Sequence, residues 1–257
     1  MILTADHVAK AYGNGLGATL AIKDLSFEVR DREFFCIVGP SGCGKTTLLK
    51  CISGLLQVTS GEVLLDGRRV TAPPEQMAVV FQEYGRSLFP WMHVDQNVRF
   101  PLQRKRLPRE KVASLVSDAL AAVGLSDFAH HYPWQLSGGM QQRVAIARAL
   151  AYEPEILVMD EPFASVDAQT RADLEDLLLS VWKRFHVTIL FVTHDIDEAV
   201  YMGDRILVLT PRPTVLEQMV AVDLPRPRDQ IKTKELPEFA HLRALVYRSI
   251  KKAATAP

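Results

Sequence analysis

The sequence predicts an α/β protein built on a parallel sheet, and three observations lead there. Unbroken apolar runs at 34–38, 156–159 and 188–192 have the pattern of strands covered on both faces. Stretches between them carry apolar residues at helical spacing, as at Leu174, Leu177, Leu178, Val181, Trp182 and Phe185, which marks one buried helix face. Each run leads into residue types suited to ligand contacts: a glycine loop after the first, Asp160 and Glu161 after the second, and His194, one residue on, after the third. Open α/β sheets place their ligand contacts at such strand ends.

Residues 1 to about 80 read mainly as strands and turns. Leu20, Ile22, Leu25, Phe27 and Val29 mark a strand that ends at a charged turn, Arg30-Asp31-Arg32. Tyr12, before a glycine-containing loop, reads on position alone as a half-buried strand aromatic. Gly39-Pro40-Ser41-Gly42-Cys43-Gly44-Lys45-Thr46 fits G-x-x-x-x-G-K-[ST], the phosphate-binding loop. Glycines let backbone N–H groups turn inward around an anion, and the next helix presents its positive end. Lys45 is expected to reach the β- and γ-phosphates and the Thr46 hydroxyl to ligand Mg²⁺. The nucleotide site is thus expected over these eight residues and Thr47. The following helix has Leu48, Leu49, Ile52, Leu55 and Leu56 as its apolar stripe.

Gly61 to Gly67 reads as a strand closed by an Asp-Gly turn, and Ala78 to Phe81 as a strand ended by Gln82. From Glu83 to about Gln135 the texture turns helical. Leu88, Phe89 and Trp91 lie in a proline-broken loop and read either as core or as a docking surface. A helix starts at Pro108, with Gly124 at its C-cap. His130 and His131 have no carboxylate or thiol at ligand spacing and read as surface.

Leu136-Ser137-Gly138-Gly139-Met140 opens another helix with Ser137 as N-cap. Two glycines there cost about 1 kcal/mol each, so something is expected to approach the backbone closely, and an anion is the physical guess. Asp160 is the expected Mg²⁺-side carboxylate, and Glu161 a general base. After residue 204 the pattern weakens to a strand at 206–209, a proline-rich bend and a basic C-terminal helix.

Lys plus Arg number 30 and Asp plus Glu 30, so no basic field draws the chain to nucleic acid. The apolar runs are too short to cross a bilayer, and the start, Met1 to Lys10, lacks a secretory apolar centre; a soluble cytoplasmic chain is expected. Cys36, Cys43 and Cys51 form no C-x-x-C pair and read as reduced thiols. Cys43, at a helix start that lowers thiol pKa, is expected to alkylate.

Together these motifs, in this order over residues 1 to 225, make the chain resemble the ATP-binding subunits of ABC transporters. The resemblance implies a P-loop NTPase (RecA-like) core with an N-terminal antiparallel β subdomain and an inserted helical subdomain. It divides the chain into a nucleotide-binding core with β subdomain at 1–83 and 155–225, a helical subdomain with the signature motif at 84–154, and a helical tail at 226–257. Gly39 to Thr46 matches Walker A, Gln82 the Q-loop, 136–140 the signature, 156–160 Walker B, Ser165-Val166-Asp167 the D-loop. Met140 departs from the glutamine common there.

The resemblance implies ATP and Mg²⁺ as cofactors. Tyr12 would stack on adenine, and Thr46, Gln82 and Asp160 would face the metal. Glu161, His194, Gln82 and Lys45 would be the catalytic group. Two copies would close head to tail, Ser137, Gly138, Gly139 and Asp167 of one covering the nucleotide of the other. Two transmembrane permease subunits would be further partners, with an extracytoplasmic substrate-binding protein acting indirectly. The chain would lie peripherally on the cytoplasmic face of the inner membrane. The Glu83 to Trp91 loop and Leu224-Pro225-Arg226-Pro227-Arg228 are similar to the nitrate/sulfonate/taurine importer subgroup. Two other readings differ in class. One is a soluble ABC-type ATPase acting on ribosomes or DNA, against which stand the single cassette and the neutral charge. The other is a catalytically dead binding module, against which stand intact Lys45, Asp160, Glu161 and His194.

Overall fold

The computed structural model describes residues 1–13, 17–82 and 84–255. In chain order the strands are β1 (Leu3–Tyr12), β2 (Thr19–Val29), β3 (Phe34–Val38), β4 (Ser60–Leu65), β5 (Arg68–Arg69), β6 (Met77–Val80), β7 (Ile156–Asp160), β8 (Thr188–Thr193), β9 (Arg205–Leu209) and β10 (Thr214–Ala221). The helices are α1 (Lys45–Ile52), α2 (Tyr84–Ser87), α3 (Val94–Arg99), α4 (Arg109–Ala122), α5 (Gly138–Ala151), α6 (Ala168–Phe185), α7 (Ile196–Met202) and α8 (Pro237–Thr255). The chain forms two compact units, Met1–Pro74 with Val187–Pro257, and Glu75–His186. The sequence reading cuts the chain elsewhere; here β6, β7 and α6 belong with the helices α2 to α5, and α8 belongs with the unit that holds β3.

In the first unit the strand order is β5-β4-β1-β2-β10-β9-β3-β8. The N-terminal strands are antiparallel: β1 pairs with β2 and β4, and β4 with β5 across the Asp66-Gly67 turn. β3 runs parallel to both β8 and β9, and β10 joins the two regions, antiparallel to β9 and parallel to β2. β3 and β8 are buried at every residue, as unbroken apolar runs demand. The Arg205 guanidinium clasps Glu33 with two N–H groups and so ties the start of β9 to that of β3. Helix α1 buries Leu48, Leu49 and Ile52 but stops there. Leu55, placed by the sequence reading on the same stripe, lies past the helix end and is exposed.

In the second unit β6 and β7 run parallel, Val80 opposite Met159. Around them, α5 packs on α2, α3, α4 and α6. Pro108 is the N-cap of α4, and Gly124 lies just past its end at φ 70°, as the sequence predicts. Glu83, the first residue of the aromatic loop, lies outside the described residues. Within the loop the core and surface readings separate: Leu88 is 4% exposed, whereas Trp91 is 70% exposed and packs on Phe89 at 5.6 Å. Leu88 is therefore core and Trp91 surface.

Candidate nucleotide and catalytic site

The first unit carries the phosphate loop on the edge where β3 and β8 end. Val38 pairs with Thr193, so Gly39 and His194 leave neighbouring strands at the same level. The loop needs its glycines. Gly42 and Gly44 have φ of 74° and 113°, a region that L side chains rarely adopt. A Cβ on Gly39 would lie 2.9 Å from Cys43 Sγ and 3.0 Å from Leu209 Cβ. Lys45 is buried, and its Nζ donates to the carbonyls of Gly39 (2.9 Å) and Pro40 (3.2 Å). Thr214 hydroxyl donates to Cys43 O and fixes the far side of the loop. Thr46 is exposed.

Tyr12, at the end of β1, pairs its hydroxyl with Thr47 Oγ1 at 3.1 Å and is 43% exposed. The ring is exposed at the strand end rather than half-buried, and the Thr47 contact brings its hydroxyl to the loop helix. Cys43 reverses an expectation. It is buried, and desolvation pushes its thiol above the ordinary value despite the opposing charge of Lys45. Burial wins over the helix end and disfavours the thiolate that alkylation requires. Cys51 is raised to about 11 by the same cause.

His194 sits on a turn that its neighbours hold. Thr193 donates its hydroxyl to Glu198 at 2.5 Å, and the Asp195 carboxylate accepts from the N–H groups of Asp197 (2.8 Å) and Glu198 (3.3 Å). The imidazole is exposed and borders a cleft of about 610 Å³ that Arg243 and Tyr247 of α8 also line.

The second unit gathers the acidic residues and the amide. The Val80–Met159 register brings Gln82, just past β6, to the level of Asp160 and Glu161 at the end of β7. Asp160 is 4% exposed. Glu161 has φ 44°, unusual for a residue with a side chain and of a kind that concentrates at functional sites.

Ser137 caps α5, its Oγ accepting from Met140 N–H at 3.3 Å. Gly139 has a neighbour that the sequence did not disclose. A Cβ there would lie 2.5 Å from Thr170 Cγ2. Asp167, the N-cap of α6, accepts from both the N–H (3.0 Å) and the hydroxyl (2.7 Å) of Thr170. Those two bonds hold its carboxyl below the usual range and point the threonine methyl at Gly139. The close approach expected at this helix start is thus met within the chain, at least at Gly139. Asp167 is engaged as a cap.

A family profile described as ABC transporter matches residues 22–164, which contain the phosphate loop, the strand-end carboxylates and the Ser137 cap. The chain belongs to the ABC transporter family. An uncharacterized ABC transporter ATP-binding protein of Methanocaldococcus jannaschii is 48% identical, over 89% of this chain and 85% of that one. The aliphatic sulfonates import ATP-binding protein SsuB of Bacillus thuringiensis is 38% identical over 94% and 97%. The nitrate import ATP-binding protein NrtC of Synechococcus elongatus is 42% identical over 95% of this chain but 37% of its own length. Among solved structures, a dimeric bacterial ABC transporter cassette is similar at TM-score 0.75 and 33% identity, over 86% of this chain and 99% of the other. Its post-hydrolysis state with ADP and Pi scores 0.73. This ABC chain is a nucleotide-binding ATPase with the P-loop NTPase fold.

The Gly139–Thr170 contact in this ABC ATPase predicts a specific rescue. Gly139→Ala forces its new methyl onto Thr170 and should lower the melting temperature of the isolated chain. Overpacking costs typically about 1–3 kcal/mol. Thr170→Ser removes Cγ2 but keeps the hydroxyl bond to Asp167, so the double variant should regain most of that loss. Calorimetry on the four proteins checks it. Equal destabilisation with Ser at 170 would show that something other than this methyl excludes alanine.

Proposed function

We propose that the chain is the ATP-hydrolysing subunit of an ABC importer for a small anion such as nitrate, a sulfonate or taurine. The observation that carries the importer reading is similarity over 94% and 95% of the chain to sulfonate and nitrate import ATP-binding proteins. Two copies would work as a homodimer with two transmembrane permease subunits, fed indirectly by an extracytoplasmic binding protein. No helix among the described residues is long and apolar enough to cross a membrane. The chain would accordingly reach the cytoplasmic face of the inner membrane through its permeases.

The residues fit the nucleotide and its metal. The loop offers a buried ammonium at a helix start and glycines at positive φ, which suits phosphate. Thr46 and Asp160 are hard oxygen donors, the set that Mg²⁺ takes. When bound, Mg²⁺ neutralises phosphate charge. Lys45 would leave its two carbonyls for the β- and γ-phosphates. Tyr12 would stack on the adenine. Glu161 would accept a proton from the attacking water, Gln82 would orient that water, and His194 would donate to the γ-phosphate. Ser137 and Gly138, both exposed, would face the partner's nucleotide together with the backbone of Gly139 and with Asp167.

Uptake of labelled nitrate, taurine and an alkanesulfonate by the native host tests the reading. Trp91 is an exposed aromatic of the loop proposed to dock a permease. Replacing the chain with its Trp91→Glu variant should abolish uptake of one of the three, while the purified variant hydrolyses ATP at the wild-type rate. Full uptake of every anion after deletion of the chain would remove the importer assignment. Loss of hydrolysis in the purified variant would instead make Trp91 a folding residue.

A further inference from the structure

Three potential ligands that are scattered in the sequence meet in the second unit. His93 is the N-cap of α3, Asp95 lies in its first turn, and His130 follows α4. Backbone bonds hold the two segments together: Val94 N–H donates to His131 O and Asp95 N–H to Ala129 O, both at 2.9 Å. One ligand atom from each of His93, Asp95 and His130 lies within 4.8 Å of the other two. The two imidazoles meet edge-on with centroids 6.3 Å apart, and Tyr132 packs against His93 at 4.4 Å.

A second observation points to a cation. Asp95 Oδ1 is buried and accepts no hydrogen bond among the described residues, whereas Oδ2 pairs with the Arg99 guanidinium at 4.0 Å. A desolvated carboxylate oxygen without a donor is costly. A metal ion removes that cost and uses both imidazoles at once. The dipole of α3 opposes a cation only weakly, because the helix has 6 residues.

We propose that His93, Asp95 and His130 bind a divalent transition-metal ion of the zinc class, with solvent completing the shell. Two imidazoles and a carboxylate match zinc, whereas Mg²⁺ and Ca²⁺ take oxygen ligands. The ion ties the start of α3 to the 129–135 segment that runs into Ser137. A metal-dependent brace thereby joins the loop at Trp91 to the signature helix.

The test uses the full chain, stripped with chelator and titrated with Zn²⁺ under millimolar Mg²⁺, so that hard oxygen sites are filled. Wild type should take up one zinc per chain. His130→Ala should bind roughly tenfold more weakly or worse, the loss known for disturbing ligand surroundings. His130 is exposed, so its removal leaves the fold intact. His7→Ala, which alters the His7–Asp24 pair (3.1 Å), should bind like wild type. His130→Cys should rebind, and with Co²⁺ it should show a thiolate-to-metal charge-transfer band. Zinc uptake that ignores both His93→Ala and His130→Ala overturns the proposal. So does a wild type that retains none, or a folded His130→Cys with no such band.

Discussion

Glu161→Gln is expected to leave ATP binding intact and to cut turnover by about 10²–10⁴, the usual worth of a positioned general base. The residue directly follows β7, next to Asp160, and sits at φ 44°, a backbone that costs on the order of 1–3 kcal/mol at such sites. Glutamine has the same shape and the same backbone demands, so the strained turn should persist while the carboxylate is lost. With hydrolysis blocked, ATP should hold two copies together. Sizing chromatography with ATP should then give a dimer peak containing nucleotide. A monomeric variant with wild-type turnover would take Glu161 out of the chemistry.

The second large effect is all-or-none and tests whether the site is shared between copies. Lys45→Ala removes the ammonium that now contacts Gly39 and Pro40 and should destroy that chain's own phosphate loop. Ser137→Arg puts bulk on an exposed helix start and should block the partner's nucleotide. It also removes the cap on Met140 N–H, worth typically about 1 kcal/mol, so the variant should fold with somewhat reduced stability. Each variant alone makes only dead dimers. Mixed, they can form a heterodimer with one intact site, from the wild-type loop of one chain and the wild-type Ser137 of the other. With Glu161→Gln in both, that heterodimer should retain one ATP. Trapping by either variant alone, or none in the mixture when Glu161→Gln by itself traps well, would rule out the shared site.

Much of the candidate site was legible because its parts are local. Glycine spacing, Lys45 and Thr46 lie within one strand-loop-helix unit, and Gln82, Asp160, Glu161 and His194 each follow an apolar run. A buried parallel strand has a simple signature, and its C-terminal end is where ligand contacts gather. By itself, then, the sequence determined the α/β class, the phosphate loop, the strand-end residues and the likeness to ABC ATP-binding subunits.

Burial and long-range proximity were decided only by the tertiary structure. Cys43 carries a helix-start signal in the sequence, yet desolvation outweighs it. Leu88 and Trp91 are equally apolar neighbours in one loop, but only the first is covered. Gly139 needs its small size because α6 delivers the Thr170 methyl to it, and Thr47 meets Tyr12 because β1 ends beside α1. His130 looked solitary until the bonds from Val94 and Asp95 brought α3 alongside. The physical reason is common to all of them. Periodicity records which face of an element is apolar, but not which other element covers it. The chemistry of a thiol, a glycine or a histidine depends on that second element.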